Sequence, residues 1–369
     1  MLFEKDHTFW YETLRSFGHI TYGGADFGEV LATAKRIVEG DYQSWYDEWL
    51  ALAERVESQA THGVSARDAY LRAANYYRTA EFFIHDTAVY QRGVECFRKA
   101  LPELAQVEIP YEGTTLPGYY YDAGAERTVV MHNGFDGSAE EMHFFGAAAM
   151  HERGFNVLTF DGPGQPGPRH LQGLAFRPDW ENVVGPVLDW LGHERVALLG
   201  NSMGGVLAPR AAAFEPRIKA VVALDGVYDM GAKVTEAFGG DLDLARTMLA
   251  SPEVDAVFEQ LMAGDPAMRW ACTHGMWAMG VPTPREYASA LLDYNVRDGV
   301  AERITCPTLV CAAEGDLFFA GQPEQLYDHL TCPKTYLSFT AEEGGDAHCQ
   351  SGAQRLAMAR IGDWLEETL

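Results

Sequence analysis

Gly200-Asn201-Ser202-Met203-Gly204 lies between Val196-Ala197-Leu198-Leu199, a short apolar run that reads as a buried strand, and the Ala-rich segment from Val206 to Phe214, which reads as a helix. Strand, sharp turn and helix, with a serine at the turn, is the local architecture of a nucleophile elbow. The turn holds the serine backbone in a strained conformation, and glycines on either side keep Cβ atoms away from the crossing strand and helix. Two later segments complete a pattern. Glu314-Gly315-Asp316 follows the apolar run Leu309 to Ala313, and Gly344-Gly345-Asp346-Ala347-His348-Cys349 follows another, so a serine, a carboxylate and a histidine each fall at a strand end, in that chain order.

Working outward, further apolar runs recur at helix-length intervals: Thr128 to His132, Phe155 to Phe160, Ala220 to Leu224, Thr308 to Ala312 and Thr335 to Phe339. Strands alternating with helices predict an α/β class protein with a mostly parallel, doubly wound sheet. Val107 to Tyr111 and Leu116 to Tyr121 read as an antiparallel hairpin that opens it. Ligands of such sheets bind beyond the carboxyl ends of the strands, where Ser202, Asp316 and His348 all fall.

The front of the chain differs. Apolar residues recur at helical spacing from Phe27 to Gln59 and from Ser65 to Leu104, with Tyr70, Ala73, Ala74, Tyr77 and Ala80 on one stripe and Ser65 with Asp68 as a capping pair. This predicts a helical N-terminal cap over residues 1–105 and an α/β unit over 106–369. Between Asp229 and Thr305 the strand spacing breaks, and a helical insert at about 230–304, rich in Met and Trp (Met262, Met268, Trp270, Met276, Trp277, Met279), reads as a lid. Tyr76, Tyr77, Phe82 and Phe83 read first as helix-packing core, with the wall of a cap pocket as the alternative.

The chemistry follows from residue types. A serine hydroxyl is a weak nucleophile until a base takes its proton, and His348 is placed to be that base for Ser202. Asp316 would fix the imidazole tautomer and stabilise the imidazolium; Asp346, two residues before His348, is the rival orienter. Charge developing on the attacked oxygen calls for two backbone N–H groups, one from Met203 and one from the loop His132-Asn133-Gly134-Phe135-Asp136-Gly137, with Phe135 favoured and Asp136 the alternative. Asp161-Gly162-Pro163-Gly164-Gln165 ends a strand and lacks the Lys-Ser/Thr of a phosphate-binding loop. None of the histidines shows metal-ligand spacing, so neither a metal nor another cofactor is expected.

Composition limits the partners. A net charge of −25, from 53 acidic and 28 basic residues, opposes binding to nucleic acid and to anionic membrane surfaces. Cys96, Cys272, Cys306, Cys311, Cys332 and Cys349 show no C-x-x-C pair or regular framework and read as reduced thiols. Met-Leu-Phe-Glu-Lys-Asp-His lacks a basic region followed by an apolar one, and no apolar run is of membrane-spanning length, so a cytoplasmic protein acting on a small molecule is expected.

Several of these segments, taken together, resemble one group of the α/β-hydrolases. They are Ala74-Asn75-Tyr76-Tyr77-Arg78-Thr79-Ala80-Glu81-Phe82-Phe83, Asn133-Gly134-Phe135-Asp136-Gly137, Phe160-Asp161-Gly162-Pro163-Gly164-Gln165, the elbow, Cys306-Pro307-Thr308 and Gly345-Asp346-Ala347-His348-Cys349. The group is that of 2,6-dihydroxypseudooxynicotine hydrolase, the fungal pigment polyketide-shortening hydrolases and relatives of the fermentation-respiration switch protein. The resemblance spans nearly the whole chain. It implies an α/β-hydrolase fold with an N-terminal helical cap and a lid, and a serine hydrolase cleaving a carbon–carbon bond next to a ketone in an acylated aromatic or polyketide-like carbonyl compound. Ser202 would be nucleophile, Asp316 acid and His348 base. The nicotine-pathway member also carries a glutamate downstream of its serine; the matching position here is Lys233, with Asp229 and Glu236 nearby as candidates for an extra acid. A homodimer through the N-terminal helices is a further implication of the resemblance. An esterase or an acyl-transferring cyclase of secondary metabolism is the alternative activity, and a non-catalytic or isomerising protein that keeps the fold is the alternative from a different class.

Overall fold

A computed structural model describes residues 2–369. Five helices come first: α1 (His7–Gly18), α2 (Phe27–Ala34), α3 (Tyr42–Ser58), α4 (Gly63–Glu81) and α5 (Thr87–Ala100). In α1, α2, α3 and α5 an aspartate (Asp6, Asp26, Asp41, Asp86) accepts hydrogen bonds from two free amides of the first turn, which is why these helices start where they do. Ser65 and Asp68 do not cap: α4 starts at Gly63, so both lie inside the helix. Trp45, Trp49, Tyr76 and Tyr77 are fully buried between α3 and α4, with Phe82 and Phe83 packed beside them, which agrees with the packing-core reading.

Eight strands follow: β1 (Ala105–Tyr111), β2 (Thr114–Tyr121), β3 (Arg127–His132), β4 (Asn156–Phe160), β5 (Arg195–Asn201), β6 (Ile218–Leu224), β7 (Thr308–Ala313) and β8 (Lys334–Phe339). They form one sheet in the order β1-β2-β4-β3-β5-β6-β7-β8. The β1/β2 and β2/β4 pairs are antiparallel and the others parallel, so the hairpin opens a doubly wound sheet as its pattern predicts. The central strands are buried on both faces and are accordingly continuous apolar runs, as in Val196-Ala197-Leu198-Leu199.

Helices α6 (Ala148–Glu152), α7 (Pro166–Gln172), α8 (Glu181–Leu191) and α9 (Gly204–Phe214) lie in the crossovers from β3 to β6. Between β6 and β7 come α10 (Ala232–Ala237), α11 (Leu242–Leu249), α12 (Asp255–Gly264), α13 (Pro266–Met279) and α14 (Pro284–Leu291), and α15 (Gln322–His329) and α16 (Gln354–Thr368) finish the chain. Helix α1 packs against both α4 and α13. The front helices and the insert therefore meet above the carboxyl edge of the sheet and roof it.

Candidate active site

Ser202 sits between β5 and α9 with φ +60, a conformation rarely adopted by a residue with a Cβ. Its N–H donates to the Leu224 carbonyl at 2.5 Å, tying the turn to the end of β6. A Cβ at Gly200 would overlap the Gly204 carbonyl, as the elbow requires. Gly204 itself has more room, with the nearest atom, His132 Cε1, 3.3 Å away. The tight approach on the helix side falls one residue later, at Gly205, where a Cβ would overlap the Asp225 carbonyl.

Residues from the loops that follow β5, β7 and β8 converge. His348 Nε2 is 2.9 Å from Ser202 Oγ, and its Nδ1 is 2.9 Å from Asp316 Oδ2. Asp346 makes no contact with the imidazole; its carbonyl instead accepts from the Gly315 N–H at 2.9 Å. A second carboxylate, absent from the sequence reading, reaches the same ring: Asp225 Oδ2, just past β6, is 3.2 Å from His348 Nδ1. Asp225 also accepts from the Cys349 N–H at 2.7 Å and Gln350 Nε2 at 2.8 Å. Cys349 and Gln350 both have positive φ, so Asp225 holds the strained loop that carries the histidine. The only sequence signal for it was a carboxylate followed by glycine at the end of a strand on the same sheet edge.

Burial disfavours charge on all three groups, and their mutual attraction decides the outcome. Burial raises Asp316, but His348 and the N–H groups of Phe318 and Phe319 overcome it and hold the carboxyl down at about 2. Burial lowers His348, yet the nearby negative groups, Asp316 foremost, carry it well above the usual imidazole range. Asp225, with no exposed surface, is raised by burial and by repulsion from Asp316, against the pull of His348.

The loop after β3 closes against the elbow. A Cβ at Gly134 would lie 2.5 Å from Met203 N and 3.0 Å from Ser202 Cβ, so only glycine permits this approach. Gln165 donates its side-chain N–H to the carbonyls of Asn133 and Gly134. Behind the loop is a buried ion cluster from α1 and α4. Arg15 bonds Asp136 at 2.9 Å, Glu141 at 2.5 and 2.8 Å and Glu12 at 3.2 Å, and Arg78 bonds the other Glu12 oxygen at 3.0 Å. Helix α1 escaped the sequence reading; its buried face sets Phe9 and Tyr11 among Thr8, Glu12, Thr13, Arg15 and Ser16, so polarity does not mark the side it buries.

Above Ser202 and His348 is a cavity of about 530 Å³, walled mainly by apolar side chains of the insert and the β7 loop, including Met230, Met268, Trp270, Tyr287, Phe318 and Phe319. Polar groups enter from α1, where Tyr11, Glu12 and Arg15 line it. The Tyr11 hydroxyl donates to the His348 carbonyl at 3.2 Å. Asp229 and Glu236 are not brought to this cavity. Asp229 turns back to accept from the Gly231 N–H at 2.8 Å and pairs with Arg297, and Glu236 is exposed on the outside of α10. Among the described residues, donor atoms of Asp225, His348 and Cys349 come within 4.8 Å of one another, but those groups are engaged in the hydrogen bonds that hold the histidine loop.

A family model described as alpha/beta hydrolase family matches residues 129–363, well over half of the chain. The chain belongs to the alpha/beta hydrolase family. It is 33% identical to a hydrolase of a Fusarium species, over 97% of this chain and 96% of the relative. It is 32% identical to the 20-hydroxy-prefusarin hydrolase of Gibberella moniliformis, again over 97% and 96%. The crystal structure of 2,6-dihydroxy-pseudo-oxynicotine hydrolase has the same fold, with a TM-score of 0.71 over 95% of both chains at 22% identity. The motif-based resemblance and the full-length relatives thus agree, and this alpha/beta hydrolase is an enzyme of the hydrolase class. Among its described residues no helix is long and apolar enough to cross a membrane.

Proposed function

We propose that this enzyme is a serine-dependent hydrolase that cleaves a carbon–carbon bond next to a ketone in a mid-sized, largely apolar acylated aromatic or polyketide-like compound. The observation that carries the reading is the unbroken line Ser202 Oγ, His348 and Asp316, with 2.9 Å at each step, on the floor of the apolar cavity. A cavity of about 530 Å³ suits a substrate of a few fused rings or a short polyketide. Relatives named as hydrolases over the full length, one of them for a prefusarin substrate, support the choice of substrate class.

In this mechanism Ser202 Oγ attacks the ketone carbon while His348 Nε2 takes its proton. The oxyanion lies between the N–H groups of Met203 and Phe135, neither of which donates to another group among the described residues. Collapse breaks the C–C bond, and the departing carbon receives the proton from His348, leaving an acyl ester on Ser202. Water then attacks that ester with His348 as base, releasing a carboxylic acid and restoring the serine. One water is consumed per bond cleaved. The step demands a leaving carbon able to carry negative charge, such as an electron-rich phenol ring or a carbon α to a second carbonyl.

The test incubates wild type and Ser202→Ala with acylated phenols, β-diketones and simple esters and identifies the products. A carboxylic acid plus a protonated carbon fragment, from wild type alone, is the expected result. Turnover confined to esters would replace the proposal with an esterase, and equal behaviour of the two proteins would remove Ser202 from the chemistry.

A further inference from the structure

The insert reaches the catalytic floor through one buried side chain. His274, on α13, is only 3% exposed, and its Nε2 is 2.9 Å from the carbonyl oxygen of Phe135. Its other nitrogen, Nδ1, is 2.9 Å from His85 Nε2, in the turn between α4 and α5. A carbonyl can only accept, so the His274 proton is on Nε2. The neutral ring then presents a lone pair at Nδ1, and His85 Nε2–H must be the donor there. Burial pushes both imidazoles below their ordinary range, His85 to about 2, in keeping with two neutral rings.

The rings are held in orientation as well as in tautomer. His85 stacks on Trp277 at 4.2 Å and 2°, and His274 meets the Phe135 ring edge-on at 4.7 Å. Trp270, His274 and Trp277 recur along α13 at helical spacing, which gives one face of that helix an aromatic seam against the cap and the loop after β3.

What this controls follows from peptide geometry. In a trans peptide the C=O and N–H point in opposite directions. The Gly134 carbonyl is held by Gln165 Nε2 at 3.2 Å, which aims the Phe135 N–H away from Gln165. The Phe135 carbonyl is held by His274, which aims the Asp136 N–H away from the insert. Both peptides of the loop are therefore clamped from behind, one by the sheet domain and the other by the insert. Arg15 adds a third hold through the Asp136 side chain, from the cap.

We propose that His274, oriented by His85, is a positioning residue that sets the oxyanion loop from the insert, so that the hole reaches its working geometry only when insert and cap are docked over the cavity. The inference rests on the serine-hydrolase reading and adds to it a link between roof and floor. Met268 and Trp270 of the same helix line the cavity, so a substrate that fills it also fixes α13 and, through His274, the loop. Binding energy from the distant part of the substrate is thereby expressed in kcat rather than in KM alone.

The test compares His274→Phe, which keeps the ring and loses the donor, with His274→Gln, which keeps an N–H. Initial rates are read on an activated p-nitrophenyl ester, with melting temperature and fluorophosphonate labelling in parallel. His274→Phe is expected to lose about 10²-fold in kcat, with KM changed by less than about threefold, and His274→Gln to recover to within about tenfold of wild type. His85→Phe, at the partly buried turn between α4 and α5, is expected to lose about tenfold and provides the reading if His274→Phe does not fold. Unchanged kcat in His274→Phe overturns the proposal. So does a loss that His274→Gln leaves unrescued, or unchanged kcat in His85→Phe where His274→Phe does not fold. A wild type inert to fluorophosphonate overturns the serine reading and this inference together, whereas a reactive wild type matched by His274→Phe overturns this inference alone.

Discussion

Two carboxylates face one imidazole nitrogen, and this changes what removal of the expected acid should do. Asp316 Oδ2 is 2.9 Å and Asp225 Oδ2 is 3.2 Å from His348 Nδ1. At an effective dielectric of about 20, the Coulomb attraction for an imidazolium is about 6 kcal/mol at the first distance and about 5 kcal/mol at the second. The two are nearly equal. A triad that loses its only carboxylate drops by about 10⁴ in kcat. With Asp225 retained, Asp316→Asn should drop by no more than about 10². The loss is further softened because repulsion from Asp316 is one cause of the raised Asp225 pKa, so its removal favours the Asp225 anion. The double variant with Asp225→Asn should fall by about 10⁴. The assay is kcat on one activated ester for wild type, both single variants and the double variant, with circular dichroism confirming the fold. A loss of about 10⁴ in Asp316→Asn alone, with no further loss in the double variant, would mean that Asp225 gives His348 no support.

Other expectations follow from the same contacts. The kcat/KM profile should rise with pH through the His348 pKa, because the base form is the active one, and its midpoint should lie above about 6.5; the double carboxylate variant should move that midpoint down, since lost anions destabilise imidazolium. Gly134→Ala should lower kcat by about 10² to 10³ with the fold intact, because the new Cβ, 2.5 Å from Met203 N, forces the loop back from the elbow. Arg15→Met leaves Glu12, Asp136 and Glu141 buried together with Arg78 alone; it should cost about 3–5 kcal/mol in denaturant unfolding, and a cost below about 1 kcal/mol would mean the cluster is not held by charge.

The serine, the histidine and Asp316 were legible because a parallel sheet puts strand ends on one edge, and the strands that lead to them show in the sequence as short runs rich in apolar residues at helix-length intervals. Asp225 was not, since Leu224-Asp225-Gly226 reads like any strand-to-loop junction; only the pairing of β6 between β5 and β7 brings it under the imidazole. Helix α1 was missed for another reason. Its buried face mixes Phe9 and Tyr11 with Thr8, Glu12, Thr13, Arg15 and Ser16, and Arg15 and Glu12 meet partners far along the chain. His274 was one of twelve histidines, and its spacing to Trp270 and Trp277 showed a helix face without showing what that face touches. Asp229 and Glu236 illustrate the converse, acids at plausible sequence distance whose side chains turn to Arg297 or to solvent.

In the proposed reaction Ser202 carries the acyl fragment left when the carbon–carbon bond breaks. Acid-quenched intact-protein mass spectrometry on a β-diketone or acylated phenol that is turned over, with peptide mapping, tests this directly. The expected result is a mass increase equal to the acyl fragment on the peptide bearing Ser202, absent from Ser202→Ala, with the protonated carbon fragment released in the same amount before the acid appears. Product formation by Ser202→Ala at the wild-type rate, or an adduct on another residue such as Cys349, would contradict it.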